Sequence, residues 1–225
     1  MKILALDTAT EACSVSLCIG DRSIDRYVEL ERGHAEQLLP MVDSVLAEGG
    51  IALGLLDAIA FGRGPGGFTG VRLAASVAQG LAFGAQVGVV PVSDLAAVAQ
   101  RVVQINPAVR RVLVANDARM REVYWAAFEF QGALESGAEH VSASAAVQLP
   151  GGAGVSWAAA GRGLTAWPEL ADRCRAAGAE LHPELLPRAS EVLTLARIAV
   201  AARQILDPAD ALPVYVRDRV TQTSL

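Results

Sequence analysis

Few residues in this chain are equipped for chemistry, and several of them gather near its start. Asp7-Thr8-Ala9-Thr10 closes a short apolar run, Ile3–Leu6. A strand-end acid followed by hydroxyls and turn amides suits phosphate binding, although a strand-end Asp is also a common turn former. Gly62-Arg63-Gly64-Pro65-Gly66-Gly67 has the literal G-x-G-x-x-G spacing between an expected strand and an expected helix. That context suits a dinucleotide fingerprint. Against it, Pro65 removes an amide donor, and the next acid after Gly67 is Asp94, too far for a ribose contact. A tight strand-to-helix turn is the better reading, with anion binding near Thr69 and Arg72 left open. His34, His140 and His182 form no HExxH or HxxxH pair, and Cys13, Cys18 and Cys174 contain no CxxC. No metal site and no cofactor are therefore expected.

Composition narrows the classes further. The 225 residues are 52% hydrophobic and 19% charged, which excludes a disordered chain. Aromatics are only 5% while alanines number 42, so the apolar content is small and aliphatic. Lys2 is the only lysine, which excludes a Walker A loop and argues against lysine catalysis. A net charge of −5 argues against unaided nucleic-acid binding. Three cysteines suit a reducing compartment. No leader and no membrane span are expected, and a cytoplasmic location follows.

The elements that position these residues read as βββαβαβα in the first half. Ile3–Leu6, Cys13–Ile19 and Ser23–Leu30 form a meander turned at Gly20-Asp21. A helix runs from His34 to Leu46 and ends at Gly49-Gly50. Asp57–Phe61, the helix Thr69–Phe83, the strand Val87–Val92 and the helix Asp94–Gln104 follow, the last capped by Ser93. The second half begins the same way, with Val112–Ala115, Val123–Phe130 and a third strand over Ala133–Val141. Laying Val112-Leu113-Val114 over Ile3-Leu4-Ala5 brings Asp117 close to Asp7. Two related lobes are expected, at residues 1–105 and 106–225. Further on, Leu149–Gly154 reads as a loop, Val155–Ala160 as a strand, Pro168–Ala177 and Glu191–Leu206 as helices, and Pro213–Val216 as a last strand. The final helix is expected to pack back on the first lobe.

Six segments together carry a resemblance: LALDTATEACSV (4–15), GRGPGGFTGVR (62–72), AQGLA (78–82), DARMREVYWA (117–126), GRGLTAWPEL (161–170) and PVYVR (213–217). In this order, across nearly the whole chain, they resemble the TsaB (YeaZ) family. These are dimerisation subunits of the bacterial tRNA threonylcarbamoyladenosine (t6A) machinery, related by descent to glycoproteases. The resemblance implies an α/β, actin/sugar-kinase-like (ASKHA) fold whose two lobes each open with a β-meander, and makes Asp7, Thr8 and Thr10 a vestigial phosphate loop. TsaD, the catalytic relative, carries an HxxxH metal pair just after a strand ending in Pro-Val. Here Asp94 and Val98 stand at the two positions, which implies a non-catalytic subunit. Gly67 and Arg121 depart from the family, which often has Ser and Gly there.

The resemblance also implies partners: TsaD in a heterodimer, TsaE through the complex, a second copy in a homodimer, and tRNA only through the complex. Small residues on helix 69–83 would let a partner helix approach closely. Gly70, Arg72, Leu73, Ser76, Val77 and Gly80 are expected at that contact, with His34, Leu38, Met41 and Val45 from helix 34–46. The competing reading is a stand-alone actin-fold ATPase or glycoprotease-like hydrolase. The absent histidine pair and lysine weigh against it.

Overall fold

Ile3, Leu4, Ala5 and Leu6 are apolar on both sides of a strand, which suits the centre of a sheet covered on both faces. In the computed structural model, which describes residues 1–150 and 155–217, that is where they lie. β1 (Lys2–Asp7) pairs antiparallel with β2 (Ala12–Ile19), and β2 with β3 (Arg22–Glu29). On its other side β1 pairs parallel with β4 (Ala58–Gly62), and β4 with β5 (Gly88–Val92). The order is β3-β2-β1-β4-β5.

The second sheet repeats this plan. β6 (Arg111–Asp117) pairs antiparallel with β7 (Val123–Phe130), which carries β8 (Leu134–Ser136) and β9 (His140–Ser142). On its far side β6 pairs parallel with β10 (Trp157–Ala160), and β10 with β11 (Glu180–His182). Each sheet thus has a central strand ending in an aspartate, Asp7 or Asp117, with a meander on one side and parallel strands on the other.

The helices fill both faces of the first sheet. α1 (His34–Gly49) and α2 (Phe68–Ala85) cover one face, where Leu38, Val42, Val45, Ala74, Ala75 and Ala78 meet Leu4, Leu6 and Phe61. α3 (Asp94–Ile105) starts at Ser93, whose hydroxyl accepts from the Ala96 amide. It lies between the sheets: Ala97 joins the core under the first, while Leu95, Val98 and Val102 join the core against the second. α4 (Gly163–Ala166) and α5 (Pro168–Ala176) cover the second sheet. α6 (Ala189–Ala201) packs Ala189, Val192, Leu193 and Ala196 against the first sheet. Among the described residues no helix is long and apolar enough to cross a membrane.

Three sequence expectations need correction. The single strand over Ala133–Val141 is two short strands, because Glu139 between them turns away to pair with Arg63 at 3.1 Å. The helix expected to reach Leu206 stops at Ala201, and Leu206 instead exchanges backbone bonds of 2.9 Å with Val89 at the edge of β5. Pro213–Val216 is not a strand; Val214 donates one backbone bond to Arg63 at 2.8 Å. Of the Leu149–Gly154 loop, 151–154 lie outside the described residues, as do the chain's last residues, 218–225.

Candidate functional site

Asp7 is fully buried at the end of β1. One of its oxygens accepts from the Ala9 amide at 3.0 Å. The other faces Asp94, the first residue of α3, also fully buried. Asp94 in turn accepts the Gly64 amide through its second oxygen. Gly62 makes the pairing possible, since a Cβ there would lie 2.2 Å from Asp7 Oδ2 and 2.5 Å from Asp94 Oδ1. Burial drives the Asp94 carboxyl well above the usual carboxylate range, and the neighbouring Asp7 charge adds to it. Burial raises Asp7 as well, but its hydrogen bonds to Asp94 and the Ala9 amide work the other way. Burial thus disfavours the charged form of both carboxyls, most of all at Asp94.

The rest of the loop is closed by the start of α2. The Thr8 hydroxyl donates to the Gly70 carbonyl at 2.7 Å, and the Ala9 carbonyl accepts from the Gly67 amide at 2.7 Å. A Cβ at Gly70 would lie 1.9 Å from the Thr8 carbonyl oxygen, and one at Gly66 2.4 Å from that of Ala9. The glycine-rich turn therefore serves close backbone contact. In the loop expected to be a vestigial phosphate loop, the Asp7 carboxyl and the Thr8 hydroxyl are engaged internally. Thr10, half-buried, accepts from the Ala12 amide at 3.2 Å, and its carbonyl lies 2.9 Å from His34 Nε2.

A cleft of about 1030 Å³ opens beside this loop, between the ends of the two central strands, with Thr10, His34, Arg72, Asp117, Arg162 and Tyr215 in its lining. Arginines join distant segments of the chain around it. Arg162 beside α4 reaches Glu29 of the first sheet at 2.6 Å and Glu11 at 3.7 Å. Arg63 forks onto Glu139 at 3.1 and 3.2 Å. Arg217 bonds the Ala118 carbonyl at 3.2 Å and the Glu122 carboxylate. Sequence reasoning missed these bridges. Their only local sign is that Arg162 and Arg217 sit inside GRG and PVYVR.

The expected contact residues separate into two groups. Leu38 and Val45 are fully buried in the chain's own core, so the structure removes them from any partner surface. Met41, Leu73 and Val77 are half-buried against that core, and Gly70 lies on Thr8. Ser76 and Gly80 face outward, and a Cβ at Gly80 would meet nothing within 4 Å. Three exposed apolar side chains lie on the same two helices and were not expected there: Leu39 at 47%, Phe68 at 64% and Phe83 at 79% exposure. Phe68, Arg72, Ser76 and Gly80 follow one another at four-residue spacing, a single ridge along α2.

A model of the TsaD family, tRNA N6-adenosine threonylcarbamoyltransferase, matches residues 28–182. The tRNA threonylcarbamoyladenosine biosynthesis protein TsaB of Escherichia coli (strain K12) is 40% identical over 239 residues, covering 100% of this chain and 98% of its own length. The chain belongs to the TsaB family. The TsaB of Haemophilus influenzae is 36% identical over 237 residues, covering 100% and 97%. YeaZ from Pseudomonas aeruginosa, a solved structure, superposes with a TM-score of 0.86 at 44% identity, covering 95% of this chain and 99% of its own. The duplicated sheets and this match put the chain in the α/β, actin/sugar-kinase-like fold expected of the TsaB family.

Proposed function

We propose that the chain is a non-catalytic subunit that binds and activates TsaD for threonylcarbamoyl transfer to the adenosine next to the tRNA anticodon. The full-length match to TsaB proteins of t6A biosynthesis carries this reading. The fate of Asp94 and Val98 supports it. Asp94 is sealed against Asp7, and Val98 is fully buried in the core between the sheets. Neither side chain is presented to the cleft. The ion pairs Arg63–Glu139 and Arg162–Glu29, each joining the two halves of the chain, fit a rigid scaffold better than a lobe that opens and closes around a substrate.

The outer ridge of α2 is the proposed contact for TsaD and, in its absence, for a second copy of the chain. His34, Met41, Gly70, Arg72, Leu73, Ser76, Val77 and Gly80 belong to this surface or support it from beneath. TsaE and tRNA join through the complex, in the cytoplasm. The test is reconstitution with TsaD from the same source. Coelution on sizing, and transfer activity that requires both chains, are expected. Turnover by this chain alone, or failure to coelute, overturns the reading.

A further inference from the structure

Arg72 differs from three of the other arginines of the cleft and, like Arg32, enters no ion pair among the described residues. Arg119, Arg162 and Arg217 each pair with a carboxylate of the chain. The guanidinium carbon of Arg72 instead lies 3.1 Å from the ring centre of Phe68 and 4.9 Å from that of Tyr215. Those rings are 6.4 Å apart and inclined at 32°. The Arg72 Nη1 reaches the Phe68 carbonyl at 3.5 Å, a long contact.

This arrangement orients a cation without neutralising it. The rings attract the cation through their π faces and leave its N–H donors without a carboxylate. A planar fork fixed in this way is pre-organised for a two-toothed contact with a carboxylate or phosphate. The platform is itself anchored. Phe68 opens α2, and Tyr215 is held between the Val214 bond to Arg63 and the Arg217 bonds to Ala118 and Glu122. Both rings are exposed, Phe68 at 64% and Tyr215 at 51%, in a chain with few aromatics. Exposed aromatics beside an unpaired arginine have the make-up of an interface anchor.

We propose that Arg72, stacked on Phe68 and Tyr215, receives an acidic side chain of the partner protein that docks on the α2 ridge. This rests on the TsaD reading above and adds its chemistry. Charge complementarity favours a protein carboxylate over an RNA phosphate. Glu11 and Asp117 of the cleft are paired with Arg162 and Arg119, but Glu31 and Glu36 enter no ion pair among the described residues and oppose a run of phosphates more than a single carboxylate, and the net charge is −5. The ridge beyond Arg72, through Ser76 and Gly80, offers small residues to a helix and no further cation to a backbone of phosphates.

Calorimetric titration of the full chain into TsaD at two salt concentrations tests this, with Arg72→Ala, Arg72→Lys and Phe68→Ala alongside wild type. Circular dichroism serves as the folding control. Each variant is expected to bind at least tenfold more weakly. The salt dependence of wild-type binding should shrink in Arg72→Ala. Lysine should not rescue, because it lacks the fork and the stacking plane. Wild-type affinity in folded Arg72→Ala, or full rescue by lysine, overturns the anchor and leaves the partner reading intact. No binding by wild type overturns both. A single-stranded RNA that binds wild type and is lost in Arg72→Ala overturns the assignment to a protein carboxylate.

Discussion

Asp7 and Asp94 turn their buried carboxyls toward each other where β1 meets the start of α3, with Gly62 leaving space for both. The pair joins the central strand of the first sheet to the helix that lies between the sheets. His34 favours the charged form of Asp7 and Arg63 that of Asp94, and the Cys13 thiol also feels the Asp7 charge.

The pair makes stability depend on pH in a direction opposite to that of a salt-bridged carboxylate. Its folded-state values are raised, so the native chain keeps a proton that the unfolded chain releases above the ordinary aspartate value of 3.8. Native stability therefore falls as pH rises through that window, by up to ~1.4 kcal/mol per pH unit for one retained proton. Asp94→Asn keeps a donor for Asp7 and an acceptor for the Gly64 amide but has no proton to lose. Its melting temperature should rise relative to wild type between pH 4 and pH 8, and the two should converge near pH 4. Asp94→Ala leaves Asp7 and the Gly64 amide unpaired and should cost about 1–3 kcal/mol at pH 4, measured by denaturant unfolding. A constant difference between Asp94→Asn and wild type across pH would contradict the retained proton.

Gly70→Ala and Gly80→Ala should act in opposite directions although both lie in α2. The new methyl at Gly70 meets the Thr8 carbonyl at 1.9 Å, which lifts the start of α2 from the loop and should cost about 1–3 kcal/mol. At Gly80 it meets nothing within 4 Å, and replacing an exposed helical glycine should stabilise the isolated chain by up to ~1 kcal/mol. Urea unfolding of the two variants checks this. Equal losses in both would mean that the outward face of α2 is wrongly placed.

Arg119, Met120 and Arg121 all have left-handed backbone, with φ of 60°, 51° and 62°. The conformation is disfavoured for side-chain-bearing residues, and here it is held by Arg217 on Ala118 and Glu122 and by the Glu122 amide on the Arg119 carbonyl at 3.0 Å. Arg121→Gly, which places a residue free to adopt positive φ there, should stabilise the chain by about 1 kcal/mol. A lower melting temperature would show that the Arg121 side chain contributes more than its backbone costs.

The duplicated plan was legible because each half starts with an apolar run stopped by an aspartate, followed by strands of alternating pattern. Burial of Leu38 and Val45 shows where such reading fails. The apolar stripe of an amphipathic helix is claimed first by its own sheet, so a partner surface must be sought among the residues left outside. On α2 those are glycine, serine and two phenylalanines, which no 3.6-residue period singles out. Asp7 and Asp94 each drew attention for a different reason, one as a loop acid and one as a stand-in for histidine. Their pairing depends on strand order, which brings β1, β4 and the start of α3 together and leaves no local trace.

Ser76→Arg tests the α2 ridge directly. Ser76 is exposed on the same stripe as Gly80, and the inner face of the helix is already occupied by Val71, Ala74, Ala75, Ala78 and Ala82. Arginine there should leave the fold intact, with a change in stability within about 0.5 kcal/mol, as for an ordinary surface substitution. A partner helix at ~8–10 Å would meet the long side chain and bury its charge unpaired. Such a charge costs several kcal/mol, enough to dissociate a micromolar complex at ~1.4 kcal/mol per tenfold. Leu73→Glu is a poorer probe, because Leu73 is half-buried against the core and its loss should also lower stability. Light scattering should find Ser76→Arg monomeric under conditions where wild type dimerises, and pull-down should find it no longer capturing TsaD. A folded Ser76→Arg that still dimerises and still captures TsaD would move the contact off this ridge, to the exposed side of α1 around Leu39.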